Sequence, residues 1–382
     1  MKKAVYFDNA ATSWPKPDCV YEAMNYFMKE VGANPGRSGH SKSIEAARTV
    51  HNTRETIARL FNVKDSSQVI FTLNATHALN LVFKGILHTG DHVLTTSMEH
   101  NSVMRPLRYL EKTIGIEITT LQCLPDGHLP LESLEKNIKG NTKLIAVTHA
   151  SNVTGTLMPI REIGEISRRY GALFLVDAAQ TAGVIPLDMV EQNIDLLIFT
   201  GHKSLMGPTG TGGVCMGKPV EMAPLIHGGT GSNSEFDIQP EWLPDKFESG
   251  TLNTVGIAGL GAGIKFIQET GINKIREREK ALTKRLLEGL SIIKGIKLYG
   301  PSDAKKQIAV VSFNIETSSL SDVGYVLDRE YGIMARIGLQ CAPIAHKTIG
   351  TFPKGTIRFS LNYFNSFDEV DYAIDVIRKI IA

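Results

Sequence analysis

Between residues 65 and 217 the chain alternates short apolar runs with longer amphipathic ones. The short runs predict strands at 69–72, 92–95, 117–121, 143–148, 173–176, 195–199 and 213–216. The 3.6-residue pattern between them predicts helices at 76–84, 102–113, 131–138 and 161–170. Strands that alternate with helices in this way imply a mostly parallel sheet covered by helices, an α/β fold. A different rhythm follows. Helical pattern runs over 256–269 and 272–293. Next come a strand at 308–314, a helix near 321–331, a strand near 356–360 and a last helix from Asp368. This reads as a smaller α+β unit. The expected division is a large domain at 15–255 and a small one at 256–382, with the N-terminal segment 1–14 packed near the small one.

Composition narrows the function. A chain of 382 residues is long for one ordinary domain and comfortable for two. Its 41 basic residues nearly balance 39 acidic ones and are scattered, which gives no electrostatic case for nucleic acid or a membrane surface. The four cysteines, Cys19, Cys123, Cys215 and Cys341, have neither zinc-site nor disulfide-framework spacing. The start of the chain, with Lys2 and Lys3, lacks the apolar stretch of a signal peptide. No apolar run approaches the ~20 residues needed to span a bilayer. A reducing, cytoplasmic setting is the expectation.

The candidate chemistry sits at strand ends. The apolar run ending at Phe199 leads into Thr200-Gly201-His202-Lys203, and the run ending at Val176 leads into Asp177-Ala178-Ala179-Gln180. In open α/β sheets ligands bind at the carboxyl ends of strands. A lysine able to form an imine, with an acid to hold a pyridinium nitrogen, is the minimum set for pyridoxal phosphate chemistry. Burial beside other cations would favour the neutral amine of Lys203. Asp177 would keep the pyridine protonated, unless it merely caps a following helix. Gln180 is placed to reach the ring's phenolic oxygen.

Other residues join this pair. Asn74-Ala75-Thr76-His77 opens a helix, whose N-terminal N–H groups suit a phosphate; Thr76 adds a hydroxyl, and Thr200 and His202 flank the lysine. His100 follows a strand and is placed to stack on a flat ring and relay protons near neutral pH. Asn152 opens a glycine-containing turn after another strand. Cys341 lies in a loop with Gly338 and Pro343, where a thiolate would be nucleophilic, whereas the other three cysteines read as small buried hydrophobes. Arg358 could fork onto a substrate carboxylate.

Together these motifs resemble the class V aminotransferase group of fold-type I pyridoxal phosphate enzymes, and within it the cysteine desulfurase and selenocysteine lyase family. The resemblance runs nearly end to end. It covers Phe7-Asp8-Asn9-Ala10-Ala11-Thr12, Glu99-His100-Asn101, Ser151 to Gly155, Val176 to Gln180, Gly201-His202-Lys203, Gly250 to Thr254, Arg336 to Cys341, and Arg358. It implies that Lys203 carries pyridoxal phosphate, that Asp177 and Gln180 hold its ring, and that His100 stacks on it. Thr76, Thr200, His202 and Asn152 would complete the cofactor site. Thr251 would reach the phosphate of a neighbouring subunit, so a homodimer with shared sites is expected. Arg358 and Asn152 would meet an amino-acid substrate, and Cys341 would take its sulfur as a persulfide for a sulfur-acceptor protein.

The compact segment around Cys341 resembles the short-loop branch. That branch usually has a threonine after the arginine and two histidines before the cysteine; here stand Ile337, Leu339 and Gln340. Where its phosphate loop has paired threonines and a glutamate, this chain has Ala75, Thr76 and His77. The implied reaction is desulfuration of L-cysteine to L-alanine. The alternatives are selenocysteine cleavage, another aminotransferase or β-lyase with Cys341 a bystander, and a cofactor-holding protein without turnover.

Overall fold

The computed structural model describes residues 4–36, 39–232, 235–316 and 318–381; Met1, Lys2 and Lys3 of the N-terminal segment lie outside them. A seven-stranded sheet organises the larger part. Its spatial order is Val69–Thr72, Gly212–Met216, Leu196–Thr200, Leu173–Asp177, Thr142–Thr148, His92–Thr96 and Glu117–Leu121. Gly212–Met216 runs antiparallel to both neighbours, and the remaining pairs are parallel. The central strands Leu196–Thr200 and Gly212–Met216 are buried along their whole length, and Leu173–Asp177 in all but its first residue, which is why they read as apolar runs. Their residues alternate between two cores. Phe174, Val176, Leu197 and Phe199 face one side, and Leu175, Leu196, Ile198 and Val214 the other. The edge strand Glu117–Leu121 is partly exposed and correspondingly mixed in composition.

The helices Ala75–Ile86, Asn101–Ile114, Leu131–Asn137 and Ile160–Tyr170 fall where the sequence predicts them, within a few residues at each end. Two elements ahead of residue 65 are not apparent from the sequence pattern: Asp18–Tyr26 and the 21-residue Ser41–Phe61. The buried face of Ser41–Phe61 includes Ser43, Thr53 and Arg54, so its apolar stripe is interrupted. Arg54 is paired with Glu248, 194 residues away.

The second core gathers around a four-stranded antiparallel sheet, Arg336–Gly338, Thr356–Ser360, Val310–Ile315 and Ile296–Tyr299. Helices Ile272–Ser291, Leu320–Arg329 and Phe367–Ile381 cover it, with Val5 and Phe7 of the N-terminal segment in the same core. Val5–Tyr6 pairs in parallel with Ile333–Met334.

The packing changes hands later than the expected division at 255. Ile257, Leu260, Ile264, Ile267 and Ile275 belong to the large core, and the second core begins at Leu282. Helix Thr254–Thr270 starts near the expected boundary, but it buries its face against the two N-terminal helices that the sequence pattern does not reveal.

Candidate active site

The carboxyl ends of three parallel strands and the helix start that follows Val69–Thr72 open onto one cavity of about 330 Å³. Thr148, Asp177 and Thr200 close their strands there. Past Thr200 the chain folds back on itself. The Gly201 N–H donates to Thr211 O at 2.8 Å and the Gly207 N–H to Gly201 O at 2.8 Å, and this loop holds His202 and Lys203 at the cavity wall. The same cavity is lined by Thr76, His100, Asn152, Gln180, Cys341 and Arg358, so residues spread over most of the chain meet at one place.

Lys203 is half-buried. Burial, with help from Arg358, pushes its amine down to about 8, while Asp177, Cys341 and Asp8 pull the other way. Asp177 is buried, and burial raises its carboxyl above the ordinary carboxylate range, against the pull of the Ala179 N–H and Lys203. Its Oδ1 accepts the Ala179 N–H at 2.9 Å, and turns rather than a helix follow, so Asp177 has no helix to cap. Gln180 donates from Nε2 to Ala10 O at 3.1 Å, which ties the N-terminal segment to this wall.

His100 is the N-cap of Asn101–Ile114. Its Nδ1 accepts from the Ser102 N–H at 3.0 Å and the Ser102 hydroxyl at 2.8 Å, so the neutral ring carries its proton on Nε2. Burial and the nearby Lys203, Arg105 and Arg358 push it down to about 4. His100 is thus neutral at neutral pH, at the cavity wall. Behind it, Glu99 is fully buried and accepts from Thr96 Oγ1 at 2.7 Å and the Thr148 N–H at 3.0 Å. Burial pushes its carboxyl up to about 8.

The anion end of the cavity is the start of Ala75–Ile86. Asn74 caps it by accepting the His77 N–H at 2.9 Å, which leaves the first-turn N–H groups and the exposed Thr76 side chain at the cavity. Gly212 permits this placement: a Cβ there would lie 2.7 Å from Asn74 Cα.

Arg358, buried on strand Thr356–Ser360, donates from Nη1 to Asn152 O at 2.9 Å and from Nη2 to Asp8 Oδ1 at 2.8 Å. It is therefore no surface arginine. Asn152 Nδ2 donates to Gln340 O at 2.7 Å, fastening the cysteine segment to the large core. Gln340 and Cys341 both have left-handed backbones, φ 43° and 57°, uncommon for such residues. The Cys341 carbonyl accepts the Asn101 N–H at 2.9 Å, and the residue is exposed at the cavity mouth. Cys123 and Cys215 are buried and Cys19 is half-buried.

Thr251 is the predicted cofactor residue that the chain does not bring to Lys203. It is exposed and lines a separate hollow with Arg54 and Glu248. Conversely, the cavity includes Arg336, and Asp8 reaches it through Arg358. Both stand in the sequence motifs without a role that the sequence assigns. The strand pairing that sets Arg336 opposite Arg358 is what local sequence does not carry.

These residues fit pyridoxal phosphate. A lysine with a lowered pKa faces a buried acid, and a capped helix N-terminus stands at the phosphate end. His202 has its Nδ1 buried with no hydrogen-bond partner, as a residue awaiting an acceptor would. Burial, Lys203 and Lys16 push that ring down to about 4.

The comparisons agree with this geometry. Residues 5–373 match the family model for class-V aminotransferases. The chain is 38% identical over 391 residues to a protein described as a probable cysteine desulfurase from Pyrococcus abyssi, covering all of this chain and 95% of that one. A solved cysteine desulfurase from Thermococcus onnurineus superposes with a TM-score of 0.93 at 35% identity, covering 99% of this chain and 94% of that one. One from Escherichia coli gives 0.88 at 26% identity, covering 98% and 94%. The architecture is that of fold-type I pyridoxal phosphate-dependent transferases, and the chain belongs to the class V aminotransferase family, among the cysteine desulfurases and their relatives.

Proposed function

We propose that the protein is a pyridoxal phosphate-dependent cysteine desulfurase that converts L-cysteine to L-alanine and takes the sulfur onto Cys341 as a persulfide. The observation that carries this reading is the meeting, in one cavity, of Lys203, Asp177 and Arg358 with an exposed cysteine. The cofactor, when bound, supplies an electron sink for the substrate's α-carbon.

The chain's own residues do the rest. Lys203, whose amine burial brings down to about 8, would anchor the cofactor and move the Cα proton. Asp177 would hold the ring nitrogen's proton, Gln180 the phenolic oxygen, and His100 would cover the ring face. Thr76, Thr200 and His202 bind the phosphate, and Asn152 braces the site from the Arg358 side. Arg358 takes the α-carboxylate. The Cys341 thiolate attacks the substrate sulfur: the S–S bond forms as the Cβ–S bond breaks. The electron pair of the broken bond stays with carbon, which takes up a proton on the way to alanine. Thr251, which lies away from its own Lys203, would contact the phosphate of a second copy, as the family resemblance implies, so the proposed working unit is a homodimer. Cys341 sits where an acceptor protein's thiol can reach the persulfide.

No helix among the described residues is long and apolar enough to cross a membrane. A cytoplasmic location would keep Cys341 reduced.

The test is an amino-acid screen on the purified protein, with alanine, sulfide and selenide quantified. Alanine from L-cysteine in step with released or protein-bound sulfur supports the reading. Turnover of selenocysteine alone assigns a lyase, and amino-group transfer without sulfur release assigns an aminotransferase.

A further inference from the structure

The N-terminal motif Phe7 to Thr12 has so far no chemical task. Structurally it is a strap across the cavity. At one end Thr12 Oγ1 donates to His202 O at 3.1 Å and Ser13 Oγ to the Lys203 carbonyl at 2.8 Å. At the other, Asp8 forms a parallel bridge with Ser360, on the strand that carries Arg358, and the Asn9 N–H donates to Ser360 O at 3.3 Å. The Asp8 carboxylate is thereby fixed beside the guanidinium, Oδ1 to Nη2 at 2.8 Å, with the two side chains 18% and 3% exposed. Arg358 Nη1 is committed to Asn152 O, and Nε is buried without a partner. Arg336 faces Arg358 across the strand pair but is itself exposed, and among the described residues Asp8 is the one carboxylate within ion-pair distance of Arg358.

We infer that Asp8 is a positioning and specificity-determining residue that sets how tightly Arg358 holds an α-carboxylate. The inference rests on the placement of the substrate carboxylate on Arg358 proposed above. Cysteine and alanine carry the same carboxylate, so this contact binds substrate and product alike and speeds no chemical step. A lone buried guanidinium would grip both, and alanine would leave slowly. With Asp8 in place, a bound amino acid brings a second carboxylate to a guanidinium that already has one. The like charges oppose each other and the grip is loosened. Between turnovers Asp8 also spares the site an unpaired buried cation and keeps Arg358 aimed.

The test compares the wild-type holoenzyme with Asp8→Asn, which keeps an acceptor oxygen for Nη2 and removes the charge. L-alanine and L-alaninamide, which lacks the carboxylate, are titrated against the bound cofactor's absorbance and by calorimetry. The expected result is L-alanine bound about tenfold more tightly in Asp8→Asn, the size of one partly screened like-charge contact, with L-alaninamide unchanged. Asp8→Ser, a smaller neutral residue, should shift in the same direction and serves if Asp8→Asn fails to fold. Equal or weaker L-alanine binding in the neutral variants overturns the inference and leaves Asp8 a structural residue. Equal tightening of both ligands overturns it too, because the effect would not act through the carboxylate. Arg358→Ala separates the two levels. If it leaves L-alanine affinity intact, the carboxylate is not on Arg358, and that placement falls together with the role of Asp8.

Discussion

The protonation state of Lys203 yields the most quantitative prediction. An ordinary lysine amine titrates near 10.4, but burial brings Lys203 down to about 8. At pH 7 about a tenth of Lys203 is then neutral, against about 0.04% of an ordinary lysine, a gain of roughly 250-fold in nucleophile. The sign is fixed: the neutral amine attacks an aldehyde, so reaction rises with pH and levels off above about 8. The assay is the pH profile of stopped-flow recombination of the cofactor-free protein with pyridoxal phosphate, with a lysine peptide measured alongside as the unperturbed reference. Asp177→Asn removes an anion that favours the ammonium form, so its midpoint should fall below the wild-type value. Removing the Arg358 cation with Arg358→Gln should raise it. A wild-type midpoint near 10, or an upward shift in Asp177→Asn, would refute the reasoning.

Three further predictions follow from packing and placement. Asp177→Ala should keep the fold, with a melting temperature close to wild type without cofactor, and lose turnover by orders of magnitude; unfolding with normal activity in the folded fraction would make Asp177 a structural residue. Gly212→Ala drives a Cβ against Asn74 and should cost about 1–3 kcal/mol by denaturant melting, with a larger drop in pyridoxal phosphate affinity than in stability. Mixing inactive Lys203→Ala chains with Thr251→Ala chains should restore activity, because a mixed dimer has one site with both residues intact; no restoration would place Thr251 outside the neighbouring site.

The strand ends are legible in the sequence because fully buried strands write themselves as apolar runs. The polar residue that terminates such a run, Asp177 or Thr200, stands where ligands bind. The pattern of apolar runs alone therefore places Lys203, Asp177 and Thr76 at one edge of the sheet. Pairings between residues far apart in the chain are not legible in this way. Asp8 and Arg358 are 350 residues apart, and their pairing follows from a strap that crosses between the two cores. The helix Ser41–Phe61 is hidden because Arg54 occupies its buried face, a choice that makes sense only beside Glu248. His100 is recognisable by position, but its protonation is not: besides Arg105 on the helix it caps, the cations that help burial push it down to about 4 are Lys203 and Arg358, remote in the chain. A division at 255 misses the change of core because helix Thr254–Thr270 is apolar on a face whose partners lie near the N-terminus.

Cys341 carries the central claim, and a single-turnover experiment tests it most directly. Wild-type and Cys341→Ala holoenzymes are mixed with one equivalent of L-cysteine, alanine is quantified, and the Cys341 peptide is weighed by mass spectrometry. Binding of L-cysteine, followed by the cofactor's absorbance, should survive in both proteins because it does not use the thiol. Wild type should form one equivalent of alanine, and its Cys341 peptide should gain the mass of one sulfur atom. Cys341→Ala should form alanine at least ~100-fold more slowly, as expected when a catalytic nucleophile is removed. Undiminished alanine formation in Cys341→Ala, or a wild-type Cys341 peptide without added sulfur, would contradict the proposed mechanism.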